Sequence, residues 1–121
     1  MLLGLRTALY PTPDIEQGKA WYSQMLNQEP YFDEPYYVGF NVGGFELGLV
    51  PDAEPGQHGA QVFWGVPDAA AELKRLLAMG ARLHEDVKDV GGDIKVASVL
   101  DPFGNVLGII ENPHFKTSEV K

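Results

Sequence analysis

The sequence contains no cysteine. Disulfides and thiolate metal sites are therefore excluded, which fits a cytoplasmic protein. Positive charge is scarce: nine Lys and Arg stand against 17 Asp and Glu, for a net charge of −8. No basic patch appears, so a nucleic-acid partner is not expected. No apolar run approaches the ~18 residues of a membrane span, so no membrane partner is expected either. The opening "MLLGLR" is too short and too little charged for a signal peptide. Only three histidines occur. His58 falls in a linker, His84 after a helix and His114 in the tail, so each reads as a surface or hydrogen-bonded residue rather than a metal ligand.

What is present is a faint internal repeat. "TALYPTPD" (Thr7 to Asp14) and "QVFWGVPD" (Gln61 to Asp68) are both short apolar strands ending in Pro-Asp. Each Asp starts a helix as its N-cap. In the first helix Ile15, Gly18, Tyr22, Met25 and Leu26 share one face. In the second, Ala69, Leu73, Leu76 and Leu77 form the apolar stripe, and Gly80 ends it.

Strands follow each helix. "EPYF" (Glu29 to Phe32) reads as a first short strand. "YYVGFNVGGFELGLV" reads as a hairpin turning at Gly43-Gly44. A two-residue turn sets Val42 opposite Phe45, Asn41 opposite Glu46 and Phe40 opposite Leu47. Alternation then puts Val38, Phe40, Val42, Phe45, Leu47 and Leu49 on an apolar face beneath a helix. Tyr37, Gly39, Asn41, Glu46 and Gly48 share the other face, which is polar and gapped and suits a cleft. The second half predicts strands near 82–88, 94–100 and 105–111. If "DPFG" (Asp101 to Gly104) is a four-residue turn, Val99 faces Val106 and Ala97 faces Gly108.

The stretches "PDIEQGKAWYSQMLN", "VPDAAAELKRLLAMGA" and "DPFGNVLGIIENP" resemble the vicinal oxygen chelate superfamily, which includes glyoxalase I, bleomycin-resistance proteins and extradiol dioxygenases. The resemblance spans about Leu2 to Pro113. It implies an α+β fold: two βαβββ modules forming curved mixed sheets around a cleft, with helices on the outer faces. A single domain over 1–121 is expected, with module 1 at about 1–53, a linker at about 51–59 and module 2 at about 60–113. A homodimer is expected as well, since each module alone would have a marginal core.

The resemblance also carries four metal-ligand positions onto this chain, at Thr7, Glu46, Gln61 and Gly108. Glu46 is a good donor and Gln61 an acceptable one. Thr7 is a weak neutral donor and Gly108 offers no side chain. No resident metal or other cofactor is expected; Glu46 and Gln61 would hold a divalent ion if any did. Glu46 is the best candidate for a catalytic group, as a general base, although ligand binding or a structural network suits it better. Tyr37 and Phe63 are candidates for stacking on a flat ligand. The expected ligand-binding set is thus Thr7, Tyr37, Asn41, Glu46, Gln61 and Phe63. The expected function is metal-free binding of a small molecule, as in drug-sequestering relatives. The alternatives are a metal-dependent lyase, isomerase or dioxygenase with an irregular ligand set, and an interaction subunit with a vestigial cleft. Glyoxalase I activity is not expected.

Overall fold

The computed structural model describes residues 1, 3, 5–58 and 61–119. Gly59 and Ala60, where the expected linker meets the second module, lie outside the described residues. The first half runs β1 (Thr7–Pro11), α1 (Ile15–Leu26), β2 (Phe32–Glu34), β3 (Tyr37–Val42) and β4 (Phe45–Val50). The second runs β5 (Phe63–Gly65), α2 (Ala69–Ala78), β6 (Arg82–Asp89), β7 (Lys95–Leu100) and β8 (Val106–Glu111). The strands form two four-stranded sheets, ordered β1-β4-β3-β2 and β5-β8-β7-β6. In each sheet the strand before the helix pairs parallel with the last strand of its module, and the other pairs are antiparallel. This is the expected α+β pair of βαβββ modules. Among the described residues no helix is long and apolar enough to cross a membrane.

The chain forms two compact units. One holds Arg6–Gln57 together with the turn Pro102–Asn105; the other holds α2 and β5–β8. In the first unit, α1 covers one face of its sheet. Tyr22, Phe40, Leu47, Leu49 and Val38 are buried there, and Tyr10 stacks on Tyr22 with ring centroids 5.8 Å apart. Asp14 caps α1 by accepting the Gln17 backbone N–H at 3.1 Å, and Asn27 ends it at φ 52°. In the second unit Asp68 caps α2 by accepting the Ala71 N–H at 3.1 Å, and Ala69, Leu73 and Leu76 are buried. Leu77 flanks that stripe and is exposed, because its position turns past the sheet-facing side of the helix.

The β3–β4 hairpin has the expected register. Gly43 and Gly44 have φ of 60° and 90°, as a turn with two left-handed central residues requires, and Asn41 pairs with Glu46. The register leaves Phe40 and Leu47 under α1. Phe45, expected beside them, is 36% exposed: it sits at the turn end of the hairpin.

Two other registers differ from expectation. The strand placed at Glu29–Phe32 starts instead at Phe32. Pro30 has no N–H to offer a ladder, and the pairing with β3 continues through Asp33 and Glu34. The β7–β8 connection has five residues rather than four, so Leu100 pairs with Val106, Val99 with Leu107, and Ser98 rather than Ala97 with Gly108. The cause is Asn105. Its side-chain amide donates to the Pro11 carbonyl at 2.7 Å and its oxygen accepts the Gly56 N–H at 3.1 Å, which holds it out of the strand.

Candidate functional site

The face of the first sheet opposite α1 is built from alternate residues of its strands. Across its middle, Leu9, Gly48, Gly39 and Phe32 follow one another in register. The neighbouring row is Thr7, Glu46 and Asn41. Two adjacent glycines leave a floor with no side chains of its own, and aromatic rings occupy it. A Cβ on Gly39 would lie 3.0 Å from Tyr37 Cε1, 3.1 Å from Glu46 Oε2 and 3.3 Å from Tyr31 Cε1. A Cβ on Gly48 would lie 2.7 Å from Tyr37 Cζ and 2.7 Å from Leu9 Cδ2. The glycine gaps are filled by the chain itself.

Glu46 stands at the centre of these rings. Tyr31 Oη donates to its Oε1 at 2.5 Å and Tyr37 Oη donates to its Oε2 at 2.5 Å. Charge-assisted O–H···O⁻ bonds of this kind are short and strong. Burial pushes the Tyr37 phenol well above the ordinary 10.0, and the bond to Glu46 pushes it further. The Tyr31 phenol is raised chiefly by its own bond to Glu46. Both hydroxyls therefore keep their protons through the neutral range and act as donors. Phe32 meets Tyr37 edge-on with centroids 5.9 Å apart, and Tyr36 meets Phe32 at 6.1 Å. Tyr31, Tyr36 and Leu9 are more than half exposed. The result is a half-buried carboxylate held by two phenols inside an open aromatic rim.

Of the residues expected at a site, Thr7, Tyr37, Asn41 and Glu46 lie together on this face. Thr7 and Asn41 flank Glu46 as Cα partners on either side. The Asn41 side-chain oxygen accepts the Gly44 N–H at 3.0 Å, so it also serves the hairpin turn. Tyr31, Phe32 and Tyr36 were not singled out from sequence. Their only signal there is the aromatic density of the stretch from Tyr31 to Tyr37.

Gln61 and Phe63 belong to the other unit. Gln61 is exposed and precedes β5. Phe63 pairs with Gly108, and a Cβ on Gly108 would lie 2.8 Å from Phe63 Cδ1 and 2.8 Å from the Val62 carbonyl oxygen. The missing side chain at Gly108 therefore seats the Phe63 ring. Ser98, the Cα partner of Gly108, shares a hydrogen bond of 2.9 Å with His84 Nδ1, and elsewhere in this unit His114 Nε2 donates to the Gly92 carbonyl at 2.8 Å. A solvent-open depression of about 550 Å³ lies along α1, lined by Lys19, Ser23, Asn27 and Glu29 among others; it shares no residue with the Glu46 cluster.

The sequence matches the family model described as glyoxalase-like domain over residues 7–110. The chain belongs to the glyoxalase-like domain family. It is thereby a member of the vicinal oxygen chelate superfamily, as its motifs suggested. No curated protein is matched. Solved structures similar to this glyoxalase-like chain include a glyoxalase-related enzyme from Fulvimarina pelagi, 20% identical over 93% of this chain and 90% of that one, with a TM-score of 0.75. A lactoylglutathione lyase from Agrobacterium tumefaciens is 20% identical over 96% of this chain and 100% of its own, also with a TM-score of 0.75. A member of the glyoxalase/bleomycin resistance protein/dioxygenase superfamily from Sphaerobacter thermophilus is 18% identical over 92% and 98%, with a TM-score of 0.74. At these identities the likeness is one of fold.

Metal-dependent members of the superfamily imply a divalent ion, and the donors here do not fit one. Both oxygens of Glu46 already accept phenol hydroxyls. Thr7 beside it is neutral, and Gly108 has neither a donor nor room for one. Among the described residues no group of three or more His, Asp or Glu side chains is gathered as a metal would need.

Proposed function

We propose that this glyoxalase-like chain binds a small organic molecule over the Tyr31–Glu46–Tyr37 cluster and has no resident divalent metal. The observation that carries the reading is the double clamp on Glu46. Each Glu46 oxygen already spends one lone pair on a phenol, and no further charged donors gather beside it among the described residues, so a divalent ion would find a single carboxylate that is already hydrogen-bonded. The open aromatic rim supplies apolar area, and the clamped carboxylate supplies orientation, which together suit a small-molecule site. Thr7 and Asn41 flank the seat. No bond-making step is proposed, and neither is the activity named for the Agrobacterium tumefaciens neighbour.

The test has two arms. Metal analysis of the purified protein should find far less than one equivalent of Zn, Ni, Mn, Fe, Co or Mg. Thermal-shift screening against a broad panel of small aromatic molecules of every charge should give hits that weaken in Glu46→Ala. One equivalent of metal, held at micromolar affinity and lost in Glu46→Ala, would overturn the metal-free reading. A panel without a single hit would overturn the binding reading.

A further inference from the structure

We infer that the ligand recognised over Glu46 is a small organic cation: a flat apolar body carrying an amidinium or ammonium group. The assignment rests on the binding reading above and names its ligand class. Three observations lead to it.

First, Glu46 has no basic side-chain partner among the described residues. Its side-chain partners are two neutral phenols. Half-burial makes a missing counter-charge costly. An ionised carboxylate offers about four lone-pair sites, and the two phenols take two of them. The remaining two accept N–H donors from a cation, one on each oxygen.

Second, aromatic groups gather around that carboxylate. Tyr31 and Tyr37 touch it, Phe32 packs edge-on against Tyr37, and Tyr36 packs against Phe32. Aromatic faces attract cations through the ring quadrupole, and more strongly where water is partly excluded. Tyr31 at 63%, Tyr36 at 66% and Leu9 at 56% exposure leave this rim open to a ligand. A simple surface acid has no such surround.

Third, the floor is fixed. Gly39 and Gly48 let the Tyr37 ring lie over the sheet, so the phenol–carboxylate bond is set by backbone geometry. The cluster is prepared for one charge sign before any ligand arrives. The chain's net charge of −8 favours the same sign. An anionic ligand would face Glu46 with like charge.

The experiment uses the full chain and three probes of matched shape: benzamidine, benzamide and benzoate, titrated calorimetrically at neutral pH. Benzamidine should bind at least about 10-fold more tightly than benzamide, as expected for a charge-assisted hydrogen bond, and benzoate should bind least. Glu46→Gln keeps the size of the side chain but removes the charge and turns one acceptor oxygen into an NH2 donor, and it should abolish the preference for benzamidine. Tyr31→Phe, at an exposed position that keeps its ring, should weaken benzamidine binding while retaining the charge ranking. Equal binding of benzamidine and benzamide would overturn the cation assignment, and so would tighter binding of benzoate or a preference that survives Glu46→Gln. Failure of all three probes would also overturn it. The broad panel judges the binding reading separately.

Discussion

Replacing Tyr37 by Phe removes one hydroxyl and leaves the ring on its glycine floor. The lost bond runs to an ionised acceptor, a class that contributes about 1.5–3 kcal/mol when well buried. Glu46 is only half-buried and keeps Tyr31, so the cost near neutral pH should be about 1–2 kcal/mol. For a domain of this size that is a fall in Tm of about 4–8 °C. The pH dependence sharpens the test. The Tyr37 phenol lies above its ordinary 10.0 in the folded protein, because burial and Glu46 both disfavour the phenolate. Its contribution is therefore complete below about pH 10 and is lost as the pH rises beyond that, where the unfolded chain ionises and the folded one does not. The loss can reach about 1.4 kcal/mol per pH unit, less what solvent screening removes. The Tyr37→Phe variant has no such proton at this position. The stability gap between the two proteins should thus narrow between pH 9 and pH 11, by roughly 1 kcal/mol. Urea unfolding of both proteins across that range measures it. Lysines and the tyrosines away from Glu46 titrate in both and cancel in the difference. Making both measurements in a Tyr31→Phe background removes Tyr31, which shares Glu46. A gap that stays constant or widens with pH would refute the account of the clamp.

Two further perturbations probe the glycine seats. Gly48→Ala places a Cβ 2.7 Å from both Tyr37 Cζ and Leu9 Cδ2, so it should cost about 1–3 kcal/mol and displace the ring, read as a change in near-ultraviolet circular dichroism. Gly108→Ala meets the Val62 backbone oxygen at 2.8 Å as well as the Phe63 ring. It should destabilise by a similar ~1–3 kcal/mol, and adding Phe63→Ala should not restore stability, because the carbonyl stays in place.

The hairpin that carries the site was legible in the sequence because its turn leaves no freedom. Two successive glycines fix the register, and the register assigns every side chain of β3 and β4 to a face. Glu46 was legible for that reason and through the family's motifs. Tyr31 was not. It precedes β2, where alternation says nothing about direction, and its ring passes close over Gly39, where a Cβ would stand 3.3 Å from Cε1. Gly108 shows a different limit. A missing side chain reads equally as vacated space and as a seat for a neighbour, and here the Phe63 ring decides for the seat. The β7–β8 register was lost by one residue, because partners 94 and 49 positions away hold Asn105 out of the strand.

That same Asn105 ties the maturation of the first unit to the far end of the chain. Its amide supplies a partner for the Pro11 carbonyl and for the Gly56 N–H, both in the earliest half to be synthesised. A nascent chain that has emerged only as far as Gln57 can form the Gly43-Gly44 hairpin and dock α1, but it lacks the turn that belongs to its unit. Closure of that unit waits for residue 105, and with it a contact of high sequence separation enters the folding of an otherwise local module. Division of the gene at the linker would therefore not yield two self-sufficient halves: the first would be missing four of its own residues, Pro102 to Asn105.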